Sequence, residues 1–260
     1  MSFFRSFFYG VERAEPLAIP SILRIALLLL WLGVMVMIFI NRKRLMAREN
    51  PFLLARIGAI VLFVDQIVLY SWQVFSGYFN VQMSLPLYHC RIAVPLLILD
   101  VIFGVKILRS IWIYWGALGS LFAMAFMDLY RFDFPHYTNF QFFIVHLLLG
   151  WMICYAVFVL NYQFDKKGLR LVLIVTLAYN IGLIFFNAAC NGTFTASADL
   201  LFNYGYMVLP PAPLTNLALS FPPYVFYAIM LIGYEAMILL LYAVGRGLNR
   251  MSAKRQGVPA

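Results

Sequence analysis

The chain has 260 residues, of which 64% are hydrophobic and only 11% charged, and its mean hydropathy is +0.89. This excludes an ordinary soluble domain, in which about a quarter of residues are charged, and points to segments sized for a hydrocarbon layer about 30 Å thick. The net charge of +9 does not indicate nucleic acid, because the Lys and Arg residues gather at the ends of apolar stretches.

In chain order, residues 1–18 form an N-terminal interfacial segment. It lacks a small-residue cleavage site and is too short for a signal peptide, while Phe3, Phe4, Phe7, Phe8 and Tyr9 suit a membrane-surface anchor. Seven apolar stretches follow, at about 19–41, 52–75, 85–105, 108–127, 139–162, 169–190 and 222–245. The predicted fold is therefore all-α, a polytopic protein with seven transmembrane helices in one domain over 19–245. A basic tail, 246–260, closes the chain.

The loops orient it. Arg42, Lys43, Arg44 and Arg48 follow the first stretch, Lys106 and Arg109 the third, Lys166, Lys167 and Arg170 the fifth, and Arg246, Arg250, Lys254 and Arg255 the seventh. The alternate loops hold Arg131 alone. By the positive-inside rule the N-terminus lies outside and the C-terminus in the cytoplasm. The outer loop over 191–221, with Pro210, Pro211 and Pro213, is long enough for a lid. Cys90, Cys154 and Cys190 fit no metal spacing; Cys90 and Cys190 both fall near the outer surface, which leaves a disulfide between them open. Asn191-Gly192-Thr193 is a glycosylation sequon, meaningful in a eukaryotic secretory pathway.

Topology converts positions to depths at about 1.5 Å per residue. With helices starting near Leu85 and Asn139, Cys90 lies about 8 Å and His146 about 10 Å below the outer boundary, with Asn187 nearby and Asp128 at the outer end of the fourth span. A thiol needs a base to become the reactive thiolate. His89 and Cys90 are consecutive and do not face one another on a helix, so His146 is the better candidate base. The helix start at Leu85 leaves Cys90 beyond the first turn, where the helix dipole helps little. Structural readings stand beside each of these: a membrane Cys is most often a packing residue, and Arg91 is most simply an ion paired with Asp65. Arg56 is depth-matched to Asp100, and Glu235 has no evident partner. The loop Asp128-x-x-Arg131-x-Asp133-x-x-His136 is too loosely spaced for a metal site and reads as a solvated cap. Gly116 and Gly119, beside Trp112 and Trp115, suit close helix approach.

Leu85-Pro86-Leu87-x-x-Cys90, Trp115-Gly116-x-x-Gly119, Asp128, Phe134-Pro135-His136 and Phe142-Phe143-x-x-His146 together resemble the YwaF-type bacterial integral membrane proteins. Asn187, the Pro210–Pro213 loop and Pro222-Pro223-Tyr224 fit the same outline, over about residues 50–245. That family is similar to eukaryotic membrane lysophospholipid acyltransferases that carry an acyl chain on a cysteine. The resemblance implies Cys90 as acyl carrier and His146 as its helper. Many relatives place a His two residues before the Cys, whereas Tyr88 stands there and His89 follows, which leaves His89 without a defined role.

The expected function is acyl transfer in the outer leaflet of a bacterial plasma membrane. Cys90 and His146 would be catalytic, and Asn187 and Asp128 would orient the His or bind substrate. His89 or Arg91 would hold an anionic headgroup. The expected partners are membrane lipids and a lysolipid or lipid-linked acceptor, with no cofactor, no metal and no nucleic acid. Two rivals from other classes stand: a transporter whose path runs through Asp65, Asp100 and Glu235, and a membrane protein that binds lipid or another envelope protein.

Overall fold

The computed structural model describes residues 3–10, 12–13, 17–195, 201–210 and 215–254. Pro211, Pro213 and Arg255 lie outside the described residues, as do the side chains of Phe3, Phe4 and Lys254. The described chain is α-helical: α1 (Phe3–Phe8), α2 (Ser21–Met46), α3 (Phe52–Phe75), α4 (His89–Val101), α5 (Leu108–Phe126), α6 (Tyr137–Phe158), α7 (Lys166–Asn191), α8 (Thr215–Leu219) and α9 (Pro223–Lys254). A single 3-10 turn, Tyr204–Tyr206, lies between α7 and α8.

Each of the seven predicted stretches is helical, and α2, α3, α6, α7 and α9 are long and apolar enough to cross a membrane. The third stretch is shorter than expected. Pro86 disfavours helix at Leu85, and the Leu87 amide closes a turn onto the Leu85 carbonyl, 2.8 Å. Helix starts only at His89. At the other end Gly104 takes φ +75° and returns its N–H to the Asp100 carbonyl, 2.9 Å, a left-handed stop that glycine adopts without strain. The 13 residues of α4 extend about 20 Å.

The chain divides into two compact units, residues 1–79 with 93–162 and residues 80–92 with 163–260, the division falling within α4. In the first unit α6 packs against α2, α3 and α5. Small residues permit this: Gly150 faces Trp31, Met35 and Ser120, Gly58 faces Met152, and Gly116 faces Leu149 and Ile153. The Ser120 hydroxyl donates to the His146 carbonyl, 2.7 Å, and Trp151 Nε1 donates to the Trp31 carbonyl, 3.1 Å. These bonds are strong glue where no water competes.

The chain before α2 also folds onto this unit. Trp72 Nε1 donates to the Phe8 carbonyl, 2.8 Å, Glu12 forms an isolated bridge with Phe132, and Arg13 pairs with Asp133. At the other end Asp100, almost fully buried, accepts two hydrogen bonds from Arg109, 2.7 and 2.8 Å, and one from Trp112 Nε1, 2.9 Å. Its partner is thus Arg109 rather than Arg56. The sequence separation is only nine residues, and the turn between α4 and α5 brings the two together. Asp65 is held by Gln141 and Gln66 rather than by Arg91, with its Oδ2 at 2.9 and 3.2 Å.

In the second unit α7 packs against α9 and against the Tyr204–Tyr206 turn. Leu183, Ile184, Tyr204 and Met207 form its buried cluster. The described part of the loop between α7 and α8, 201–210, is tied down: Asn203 Oδ1 accepts from the amides of Val208 and Leu209, both 3.0 Å, and its Nδ2 donates to the Leu209 carbonyl, 2.9 Å.

Candidate functional site

The second unit contains Cys90, His89, Arg91 and Asn187. Because α4 begins at His89, Cys90 sits in its first turn, where the sequence reading had put it a turn deeper. A helix's first turn favours a thiolate through its dipole, and burial opposes one. The residue is half-buried, and all three cysteines are free thiols.

The segment leading into Cys90 is held at successive points. The Tyr204 hydroxyl donates to the Val81 carbonyl, 2.6 Å, and accepts from the Leu85 amide, 3.0 Å. Tyr179 donates its hydroxyl to the Leu87 carbonyl, 2.7 Å. Arg91 donates to the Met83 carbonyl, 2.6 Å, and its guanidinium lies 5.3 Å from the Tyr88 ring centroid. With its charge spent on a carbonyl and an aromatic face, Arg91 closes this turn.

His89 is buried among aromatics. Its ring stacks on Tyr234 at 4.7 Å and meets the edge of Tyr179 at 5.4 Å. The Tyr234 hydroxyl donates to the Gly205 carbonyl, 3.0 Å, and its phenol is within electrostatic reach of Cys90. Asn187 is fully buried and points to backbone: Nδ2 donates to the Tyr204 carbonyl, 2.9 Å, and Oδ1 accepts from the Tyr204 amide, 3.0 Å. Both ends of its carboxamide are committed to this pairing. Asn191 makes the same pair of bonds with Phe202, 2.8 and 3.0 Å.

His146 and Asp128 belong to the first unit. The buried His146 ring has Nδ1 2.7 Å from the Phe142 carbonyl. A carbonyl only accepts, so Nδ1 carries a proton. A base acting through Nε2 needs its proton held there. Asp128 is exposed in the loop between α5 and α6, with Arg131 the charge that acts on it. Of the loop residues considered for metal, Asp133 pairs with Arg13 and His136 caps α6.

Sequence reasoning missed Tyr204, Tyr179 and Tyr234, and read Asn191 only as part of a sequon. One signal was available: Asn187 and Asn191 are four residues apart and share a helix face.

The apolar helices, the small-residue packing of α6 and the buried polar bonds define a multi-pass α-helical membrane protein. No curated protein and no solved structure matches the chain. A family match covers residues 8–244, and the chain belongs to the TMEM164 family.

Proposed function

We propose that the protein is a membrane acyltransferase that carries a lipid acyl chain on Cys90. The observation that carries this reading is the setting of Cys90, a half-buried free thiol in the first turn of a helix, where the helix dipole favours a thiolate. The resemblance to the YwaF-type proteins, and through them to cysteine-dependent lysophospholipid acyltransferases, supports it. So does the proton held on His146 Nδ1, which a base acting through Nε2 needs there.

In the proposed reaction His146 Nε2 takes the Cys90 thiol proton as the sulfur attacks a glycerolipid ester carbonyl. The new C–S bond forms, the ester C–O bond breaks, and the departing lysolipid oxygen takes the proton back from the imidazolium. A lysolipid or lipid-linked acceptor then loses its hydroxyl proton to Nε2 and attacks the thioester. Its C–O bond forms, the C–S bond breaks, and the thiolate is reprotonated. Seven crossings, with the N-terminus outside and the reaction in the outer leaflet of a bacterial plasma membrane, complete the proposal.

Transport through Asp65 and Asp100 fits less well. Asp65 is bonded to two glutamines and Asp100 to Arg109 and Trp112, so a path using them would break buried hydrogen bonds. The deciding experiment incubates the purified protein with labelled phospholipid. An adduct released by hydroxylamine is expected in the wild type and absent in Cys90→Ser, and a wild type that forms no adduct overturns the assignment. As a check on the pairing, His146→Cys in a Cys154→Ser, Cys190→Ser background should form a disulfide with Cys90 under mild oxidation.

A further inference from the structure

We infer that Asn187, Asn191 and Tyr204 form a positioning device for the Cys90 turn, so that Asn187 acts on Cys90 through Tyr204 and never touches substrate. This inference rests on the acyl-transfer reading above. Its basis is a pair of matched rungs. Asn187 and Asn191 are one helical turn apart on α7, a rise of about 6 Å, and Phe202 and Tyr204 are two residues apart where the chain enters the 3-10 turn. Each carboxamide therefore meets one backbone residue and exchanges both hydrogen bonds with it, as a neighbouring strand would. Asn191 takes Phe202 and Asn187 takes Tyr204.

The ladder aims Tyr204. Its side chain is fully buried, and its hydroxyl bridges the Val81 carbonyl and the Leu85 amide. Leu85 lies in the non-helical segment that ends at the first turn of α4. Tyr88, two residues before Cys90, packs its ring on Tyr204 at 5.3 Å and on Tyr206 at 5.7 Å. Gly205, between those tyrosines, holds φ +67°. A side chain there would meet Leu183 Cδ1 at 2.6 Å and approach His89 Cε1 at 3.7 Å. The 202–206 segment thus holds the chain leading into Cys90 at Leu85 and at Tyr88, with Gly205 close to the His89 ring. Deleting the Tyr204 hydroxyl frees two backbone anchors without changing the ring.

The test uses the full-length protein in lipid nanodiscs with Cys190→Ser, leaving Cys90 to report on the turn and buried Cys154 to report on folding. In Tyr204→Phe, Cys90 alkylation by a maleimide is expected to quicken severalfold while Cys154 stays unlabelled. Acyl transfer should lose about tenfold in kcat with KM for the lipid donor within about twofold, as expected when a nucleophile is misplaced. If Cys154 becomes reactive, Asn191→Ala, which removes only the outer rung, carries the same test with a smaller change of the same sign. Wild-type alkylation and kcat in whichever variant stays folded overturn the inference. Faster alkylation in a protein whose wild type forms no acyl adduct keeps the positioning role and overturns the acyl-transfer reading instead.

Discussion

His136 shows how much one side chain can be asked to do at the outer edge of the first unit. It is fully buried, stacked on Phe132 at 4.1 Å and set edge-on to Trp72. Its Nδ1 accepts the Thr138 amide at 3.3 Å, and Asn139 Oδ1 accepts the His136 amide at 3.0 Å, a reciprocal cap on α6. Capping requires a lone pair on Nδ1, so the ring must be neutral. Burial lowers its pKa from 6.5 to about 4, the Phe8 backbone opposing. The unfolded chain therefore binds a proton that the folded one refuses between about pH 6.5 and pH 4. The contribution of this group to stability is complete above that window and is lost as pH falls through it. The thermal midpoint should drop on acidification from pH 6.5 to pH 4, and His136→Asn, which keeps a capping acceptor but does not titrate, should flatten that slope. Asn191 carries a similar double commitment, since its Nδ2, the atom a glycan would take, already donates to Phe202.

Among elements, the joint between α4 and α5 depends on one buried ion pair. The Asp100 side chain is wholly inaccessible, while Arg109 keeps a fifth of its own exposed. Two parallel N–H···O bonds and the Trp112 indole satisfy the carboxylate. Arg109→Ala should therefore destabilise the protein by about 3 kcal/mol, because it strands a buried charge. Asp100→Asn combined with Arg109→Met should recover most of that loss, as measured by denaturation in detergent. The helices themselves were legible because long apolar runs leave few alternatives. The ends of α4 were not, although Pro86 and Gly104 both stand in the sequence, because the hydrophobic run continues across them. Arg109 was equally visible, but matching depths favoured Arg56 over a residue just past the turn. Cys90 and His146, on which the proposed reaction rests, stand out in the sequence by residue type alone. The aromatic walls of His89 come from α7 and α9, some 90 and 145 residues along the chain. No local pattern announces such contacts.

At the scale of the whole molecule, Lys and Arg separate sharply between alternate loops, and α7 lets one helix test what that implies. Its 26 residues rise about 39 Å, more than the hydrocarbon thickness of about 30 Å. At its start Asp165 caps the helix by accepting from Gly168, with Lys166 and Lys167 exposed beside it. At its end the exposed Cys190 precedes a left-handed stop at Gly192. The proposed crossing puts the two ends on opposite faces of the membrane, and the proposed orientation puts the lysines in the cytoplasm. In intact cells a membrane-impermeant maleimide should label Cys190 when Cys90 and Cys154 are replaced. Lys167→Cys, in a chain without the native cysteines, should react only after the membrane is permeabilised. The reverse pattern would invert the orientation and move Cys90 to the cytoplasmic leaflet, while labelling of both ends from outside would mean that α7 does not cross.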